Sequence, residues 1–288
     1  MRGAVFFATT LALVAGCSQN PKSESTAARQ LAAIEANRKG ETYVRHGELE
    51  NAARSYREAL RLSQSLEDPE GIAANTINLS IVRQRQGRFA DARASLAAVL
   101  EQTNLRFSAA RLAEASLRHA LLDIDEHRFA AAEKWVAISS HHCGERCALS
   151  GAIHNVRAQL ALQSGQTDTA AASARAGHDA SRAAGDRAEL ANALRLLGIT
   201  SLQRGNPAAA RAHLEQALVL DREIGVPRKI VLDLLALGRA AALSGQRDAA
   251  RSYYARALAV SEADRDSGGA AEARALLDAV DKAAASGK

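Results

Sequence analysis

Small and bulky apolar positions recur along this chain at a fixed interval. Ala52, Ala92, Ala132, Ala170, Ala210 and Ala250 each stand five residues after Gly47, Gly87, His127, Gly165, Gly205 and Gly245. The spacing between these turn positions is 40, 40, 38, 40 and 40 residues, so one unit is written six times. A bulky residue follows nine positions past the turn (Tyr56, Leu96, Val136, Leu214, Tyr254), and Ala59-Leu60, Ala217-Leu218 and Ala257-Leu258 come at offsets twelve and thirteen. Offsets of five, nine and twelve share one face of a helix, which predicts an inward stripe on the helix after each turn. Before the turn stand Leu79-Ser80, Leu197-Gly198 and Leu237-Gly238, and in the first unit Gly40 followed by Tyr43. Each unit therefore reads as two helices joined by a tight reversal. Glycine enters the left-handed backbone region that ends the first helix, and alanine lets the second helix approach closely.

This Leu-Gly, aromatic, Gly, Ala, aromatic, Ala order resembles the tetratricopeptide repeat over roughly residues 33 to 260. The predicted fold is all-α: a right-handed superhelical solenoid of six tetratricopeptide-like hairpins in residues 27–270, followed by a capping helix and tail in 271–288. Ala271 falls in register as the start of a seventh first helix, with Leu276, Leu277 and Val280 on one face. Glu272, Arg274, Asp278, Asp281 and Lys282 are expected to face water. The unit exceeds the family's usual 34 residues by about six, which lengthens each helix by under one turn, roughly 4 to 5 Å. It is similar to the long-hairpin members, with Gly185-Asp186 and Gly225-Val226-Pro227 joining repeats. No proline interrupts a predicted helix: Pro21 precedes the repeats, Pro69 and Pro227 lie between them, and Pro207 opens a second helix.

Composition narrows the class. Of 288 residues 47% are hydrophobic but only 3% aromatic, which suits closely packed helices with an alanine and leucine core. The formal charge of +5 invites a nucleic-acid reading, yet basic and acidic residues alternate throughout and no lysine or arginine run forms a phosphate-binding patch. No nucleic acid partner is expected.

The N-terminus reads as an address. Met1-Arg2-Gly3 precedes an apolar run from Ala4 to Ala15, broken only by Thr9 and Thr10, and then Gly16-Cys17. A basic start, a short apolar stretch and small residues describe a secretory signal, too short for a permanent span of about 20 residues. Val14-Ala15-Gly16-Cys17 resembles the bacterial lipobox, which implies a lipoprotein signal peptide in 1–16, a lipidated Cys17 and a flexible tether over 17–26. An ordinary cleaved signal is the alternative. Ser18 after the cysteine implies, by the same resemblance, the outer membrane of the cell envelope, with the domain lipid-anchored to the inner leaflet and facing the periplasm.

Chemistry is sparse. Cys143 and Cys147 flank a glycine in Ser140-His141-His142-Cys143-Gly144-Glu145-Arg146-Cys147, at a place where the repeat decays to Ser139-Ser140 and Gly177-His178. In an oxidising compartment the pair reads as a disulfide stapling a poorly packed joint. A metal site drawing on His141, His142, Cys143, Cys147 or His154 is the sharper alternative; haem attachment is excluded because Ala148 stands where a histidine is required. Trp135 reads as packing, and the cluster Asp123-Ile124-Asp125-Glu126-His127 as solvated charge at a helix end. His-Glu-x-x-His, phosphate-loop and Gly-x-Ser-x-Gly patterns are all absent, so neither an enzyme nor a cofactor is expected.

The resemblance places first helices on the concave face, where a protein or peptide partner lies. Carried into this chain, the register nominates Arg38, Arg45, Asn78, Arg85, Arg118, Asn155, Arg195 and Arg239 as the peptide-binding groove, with Ile81, Leu121, Gln159 and Ile199 between them. Arginine outnumbers acid there, with Glu41, Glu114 and Asp125 as the exceptions, which suits a partner bearing acidic or C-terminal carboxylate groups. The expected function is a scaffold or adaptor for a cell-envelope machine. Alternatives are a redox- or metal-sensitive regulator gated by the Cys143–Cys147 loop and, more remotely, a cell-wall enzyme with an unrecognised site.

Overall fold

A computed structural model describes residues 25–101, 104–144 and 147–286. The expected signal peptide, Cys17 and the tether as far as Glu24 lie outside these residues. Thirteen helices run through the described residues, in antiparallel pairs: α1 (Thr26–Arg45) with α2 (Leu49–Ser65), α3 (Pro69–Arg85) with α4 (Phe89–Leu100), α5 (Ala109–Asp125) with α6 (Phe129–Cys143). There follow α7 (Ser150–Gln163) with α8 (Thr167–Ala184), α9 (Arg187–Gln203) with α10 (Pro207–Ile224), α11 (Pro227–Leu243) with α12 (Arg247–Ala263), and a closing α13 (Ser267–Ser286). The solenoid of six hairpins and a cap is the architecture the periodicity predicts.

Local chemistry sets the helix ends. The reversal residues of all six hairpins have positive φ, from 57° at His127 to 74° at Gly87 and Gly165. Pro69, Pro207 and Pro227 each open a helix, where a missing N–H costs nothing. The Asn206 side chain accepts from the Ala209 N–H at 3.1 Å, and the Asp186 carboxylate from the Ala188 and Glu189 N–H groups, capping α10 and α9. The same device moves the start of α13. Asp266 accepts from the Gly269 N–H at 3.1 Å, so the helix begins at Ser267 rather than at the expected 271.

Packing follows the small-to-bulky rule seen in the sequence. All six recurring alanines are fully buried. A Cβ added to Gly40 would stand 2.6 Å from the Tyr56 ring, one on Gly198 2.5 Å from Leu214, and one on Gly238 2.2 Å from the Tyr254 ring. The pairs are sixteen residues apart, and the corresponding positions of the other hairpins carry Ser80 and Leu96, Ala120 and Val136, Ala158 and Ala174. As the first residue grows, the second shrinks, which keeps the two helices of a hairpin at a similar distance.

Hairpins three and four, on either side of the decayed joint, close on themselves differently. Ser139 is buried and its hydroxyl donates to the Ala113 carbonyl at 2.8 Å, while Gly177 leaves room for Asn155, whose Oδ1 would stand 2.3 Å from an added Cβ. The residues that looked like decay bring together the two helices of their own hairpins, α5 with α6 and α7 with α8. Cys143 and Cys147 are joined by a disulfide, with Cα atoms 5.2 Å apart, between the end of α6 and the start of α7. Trp135 stacks on the His119 ring at 4.2 Å between centroids.

One acidic cluster corrects the sequence reading. Asp123 is not solvated: it is 1% exposed and lies between the guanidinium groups of Arg93, 3.6 Å away on α4, and Arg128. Arg93, on the preceding hairpin, is what Asp123 meets across that joint.

Apolar clusters are local. Ala52, Tyr56, Leu79 and Val82 form one; Ala73, Ile77, Leu96 and Leu122 another; Leu117, Val136 and Ile153 a third; Leu214, Leu234, Leu237 and Tyr254 the largest. None joins hairpins distant in sequence. First helices touch the next first helix along most of the stack, α3 with α5, α5 with α7, α7 with α9, whereas among the described residues second helices make no comparable contact. The stack therefore bends toward its first helices. The bend is sufficient to bring the two ends together: the Asp264 carbonyl, where α12 ends, lies beside Gly47 in the first hairpin's turn, 3.1 Å from where a Cβ would be.

Candidate functional site

The inner face of the curve is lined by α1, α3, α5, α7, α9 and α11, and the structure divides the expected groove residues into three sets. Arg38 and Arg45 are exposed, Arg45 reaching the Thr42 hydroxyl at 3.4 Å. Arg85, Asn155, Arg195 and Arg239 already hold partners of the protein's own. Arg85 donates to the Val44 carbonyl at 2.9 Å, Arg239 to Glu272 at 2.6 Å, and the Asn155 amide to the carbonyl and the carboxylate of Glu189. Arg118 and Asn78 are half-buried, and among the described residues neither makes a hydrogen bond or a close ion pair through its side chain.

Arg195 departs furthest from the expectation. It is 6% exposed and donates through Nε to Asp233 on α11 at 2.6 Å, through Nη2 to Asp221 on α10, and through Nη1 to Asn192 at 3.0 Å. Two carboxylates without their arginine would be stranded in the core, so this guanidinium ties three helices together and is not free for a partner. Beside it the Lys229 ammonium donates to Asn192 at 2.6 Å. Lys229, Asn192, Asp221 and Asp233 were not nominated from the sequence. A signal for Asp221 existed: the position sixteen past the turn carries buried Ser63, Ser181 and Ser261 in other hairpins, and only a strong partner could bury an aspartate in that column.

Burial controls the charges of this cluster. It pushes the Asp233 carboxyl up to about 7, aided by the neighbouring Asp221 and opposed by Arg195. Burial and Arg195 hold the Lys229 ammonium down at about 8. Because folded Asp233 binds its proton more tightly than the unfolded chain does, the associated stability is complete below its ordinary value of 3.8 and is lost as pH rises toward about 7. Lys229 stays charged throughout that window. Thermal denaturation between pH 4 and 7 should show this loss, and the D233N variant should flatten it.

Among the described residues Arg118 is a half-buried cation of this face without a close partner. Desolvation is the largest influence on it and lowers its pKa, although the side chain still reaches solvent. The acids it feels are Glu114 on its own helix, Asp125, and Glu189 on α9, two first helices away. Glu189 accepts from Asn155 on α7, the first helix between α5 and α9, so Arg118 and Glu189 lie on the same side of these three first helices. Ile81, Leu121 and Ile199 are half-buried on the same series of helices. The geometry offers an apolar-flanked, desolvated guanidinium to whatever enters, and such a group binds a carboxylate more strongly than a solvated one does.

Two stretches, residues 37–70 and 234–267, match the family model of the tetratricopeptide repeat. The chain carries tetratricopeptide repeats. They stand in the first and last hairpins of the stack, and the hairpins between them keep the same glycine and alanine register. Among solved structures the tetratricopeptide stack is similar to a Rap protein complexed with competence and sporulation factor, at a TM-score of 0.63 and 13% identity over 87% of this chain and 71% of that one. It is similar to aspartyl phosphate phosphatase F from Bacillus subtilis, at 0.60 and 12% over 90% and 82%. It is also similar to a thermophilic tetratricopeptide-repeat protein of Thermus thermophilus, at 0.56 and 17% over 71% and 98%. The chain spans 38% of a Pyrococcus horikoshii signal transduction ATPase with a tetratricopeptide sensor, at 15% identity. At these identities the likeness is one of fold. No curated protein matches the sequence. Among the described residues no three His, Cys, Asp or Glu side chains are grouped to hold a metal ion, and no helix is long and apolar enough to cross a membrane.

Proposed function

We propose that this protein is a lipid-anchored, periplasm-facing adaptor of a cell-envelope machine that holds a partner peptide in its concave face by a carboxylate. The observation that carries the groove reading is Arg118: a desolvated guanidinium with no hydrogen-bonding partner among the described residues, facing a concavity. The tetratricopeptide fold is a scaffold for protein partners, and the similar Rap protein was solved in complex with a factor of its own. Support for the anchor comes from the residues Val14-Ala15-Gly16-Cys17 after a short apolar run. The disulfide between Cys143 and Cys147 suits an oxidising compartment.

Affinity capture from solubilised membranes, followed by titration of captured-partner peptides with a free or amidated C-terminus, tests the reading. Reversing the charge at Arg118 with R118E is expected to weaken binding by at least tenfold, since removing one partner of a desolvated charge pair costs about 2 to 5 kcal/mol. Unaltered capture by R118E would sink the groove assignment. In the same cells C17S should lose its acyl label and leave the membrane fraction; a C17S protein that stays membrane-bound and acylated would refute the anchor.

A further inference from the structure

On the outside of the curve a groove of about 720 Å³ opens between the second helices α8 and α10. Leu190 and Leu194 of α9 lie at its base, with Val219 and Leu220 of α10 on one side and Arg182 of α8 on the other. Val219 is the departure that makes the groove apolar. It stands fourteen residues past its turn glycine, where the other hairpins carry Arg61, Glu101, His141, Asp179 and Ala259, and it is 53% exposed. The rim leaves one charge open. Glu215 on α10 is tied to Arg211 at 2.7 Å and Asp179 on α8 to the His178 ring at 2.9 Å, whereas among the described residues the Arg182 guanidinium makes no hydrogen bond or close ion pair. Such a groove suits a short helical face that carries aliphatic side chains and one carboxylate.

That face exists on this same chain. α1 opens the stack, so no first helix precedes it among the described residues. At the positions where α9 and α11 carry Glu189 and Asp233, which meet Asn155 and Arg195 of the preceding first helix, α1 carries Leu31 and Glu35. Leu31 is 58% exposed and Ile34 46%, and the Glu35 carboxylate has no hydrogen bond or close ion pair among the described residues. Leu31, Ile34 and Glu35 are spaced i, i+3 and i+4, which sets two aliphatic side chains and an acid on one side of the helix.

We propose that this face of α1 docks into the groove between α8 and α10 of a second copy, with Leu31 and Ile34 against Leu190 and Val219 and with Glu35 paired to Arg182. The two surfaces are different, so the contact is head-to-tail. Each pair keeps one free groove and one free α1, and association runs on into an open chain or closes as a ring. Few side chains meet on each side, which places the contact among the weak, transient interfaces below about 1,200 Å² in total. It forms where the protein is concentrated. That an anchored population supplies this concentration rests on the reading above; the contact itself does not.

Sedimentation equilibrium of the purified protein in a density-matched non-ionic detergent reads the association. The expected result is a mean mass that climbs with concentration past two chains. I34E and V219E should each weaken it by at least about tenfold, the loss expected of a residue at the centre of an interface. Both positions are exposed, so the helical circular dichroism should not change. Mixed in equal amounts, the two variants should form a one-to-one dimer that grows no further, because I34E brings only an intact groove and V219E only an intact α1. E35R and R182E should each weaken the contact, and E35R/R182E should associate like the parent. A parent that stays a single chain at every concentration, association indifferent to I34E and V219E, a mixture no larger than its components, or an exchanged pair that fails to recover would overturn the proposal. Arg118 is untouched in all of these proteins, so capture of a partner peptide is judged separately by its own experiment.

Discussion

Replacing Arg195 by alanine is expected to destabilise the protein by roughly 3 to 5 kcal/mol, the range for removing one member of a buried ion-pair group. Asp233 is fully buried and Asp221 is 2% exposed, so neither carboxylate can turn to water when the guanidinium is gone. The loss should be local. Hydrogen exchange is expected to lose protection first in α9, α10 and α11, the helices that Arg195 ties together, while α3 to α6 hold. R195K should recover only part of the stability, because one ammonium cannot reproduce a fork that reaches Asp233 through Nε and Asp221 through Nη2. Replacing all three with apolar residues, as in R195M/D221L/D233L, should cost less than R195A alone, since no carboxylate is then stranded in the core and Lys229 keeps its bond to Asn192. Urea titration of the four proteins measures this. An R195A protein as stable as the parent would mean that the two carboxylates reach solvent.

The second large effect concerns the hairpin glycines. G238A is expected to destabilise by about 1 to 3 kcal/mol through overpacking. Helix propensity alone says the opposite: glycine to alanine inside a helix is worth about 1 kcal/mol in favour of alanine. Packing wins because the new methyl would stand 2.2 Å from a Tyr254 ring carbon, and that ring is 2% exposed with no empty space to move into. The third hairpin already shows the remedy, with Ala120 and Val136 at the corresponding positions. G238A/Y254V should therefore be more stable than the sum of the two single substitutions, with a coupling within the range of about 0.5 to 3 kcal/mol seen for residues in contact. A coupling of zero in thermal or urea denaturation would show that the pair does not set the spacing of α11 and α12.

How much of the site could be read in advance differs from residue to residue. Arg118 and Arg195 look alike in the sequence, both arginines on the first helix of a hairpin. Arg195 is consumed by Asp221 and Asp233, which come from α10 and α11, whereas Arg118 finds no such acid. The residues flagged as decay at the joint of hairpins three and four show the reverse. Ser139 and Gly177 depart from the repeat because they fill other needs, a hydroxyl for the Ala113 carbonyl and room for Asn155. A pattern search reads such a departure only as a weak match.

The sequence by itself determined the helices, their reversals and their pairing into six hairpins and a cap. Each of those depends on neighbours no more than one hairpin away: a glycine that can adopt positive φ, an alanine that admits a close helix, a proline or aspartate that opens the next one. The tertiary structure alone decided which arginines are free, which acids are buried, and that Gly47 and Asp264 meet. The reason is that partners such as Arg195 and Asp233 are brought together by contacts between hairpins. The meeting of the ends depends on a small bend repeated at every joint, and no single repeat carries the sum.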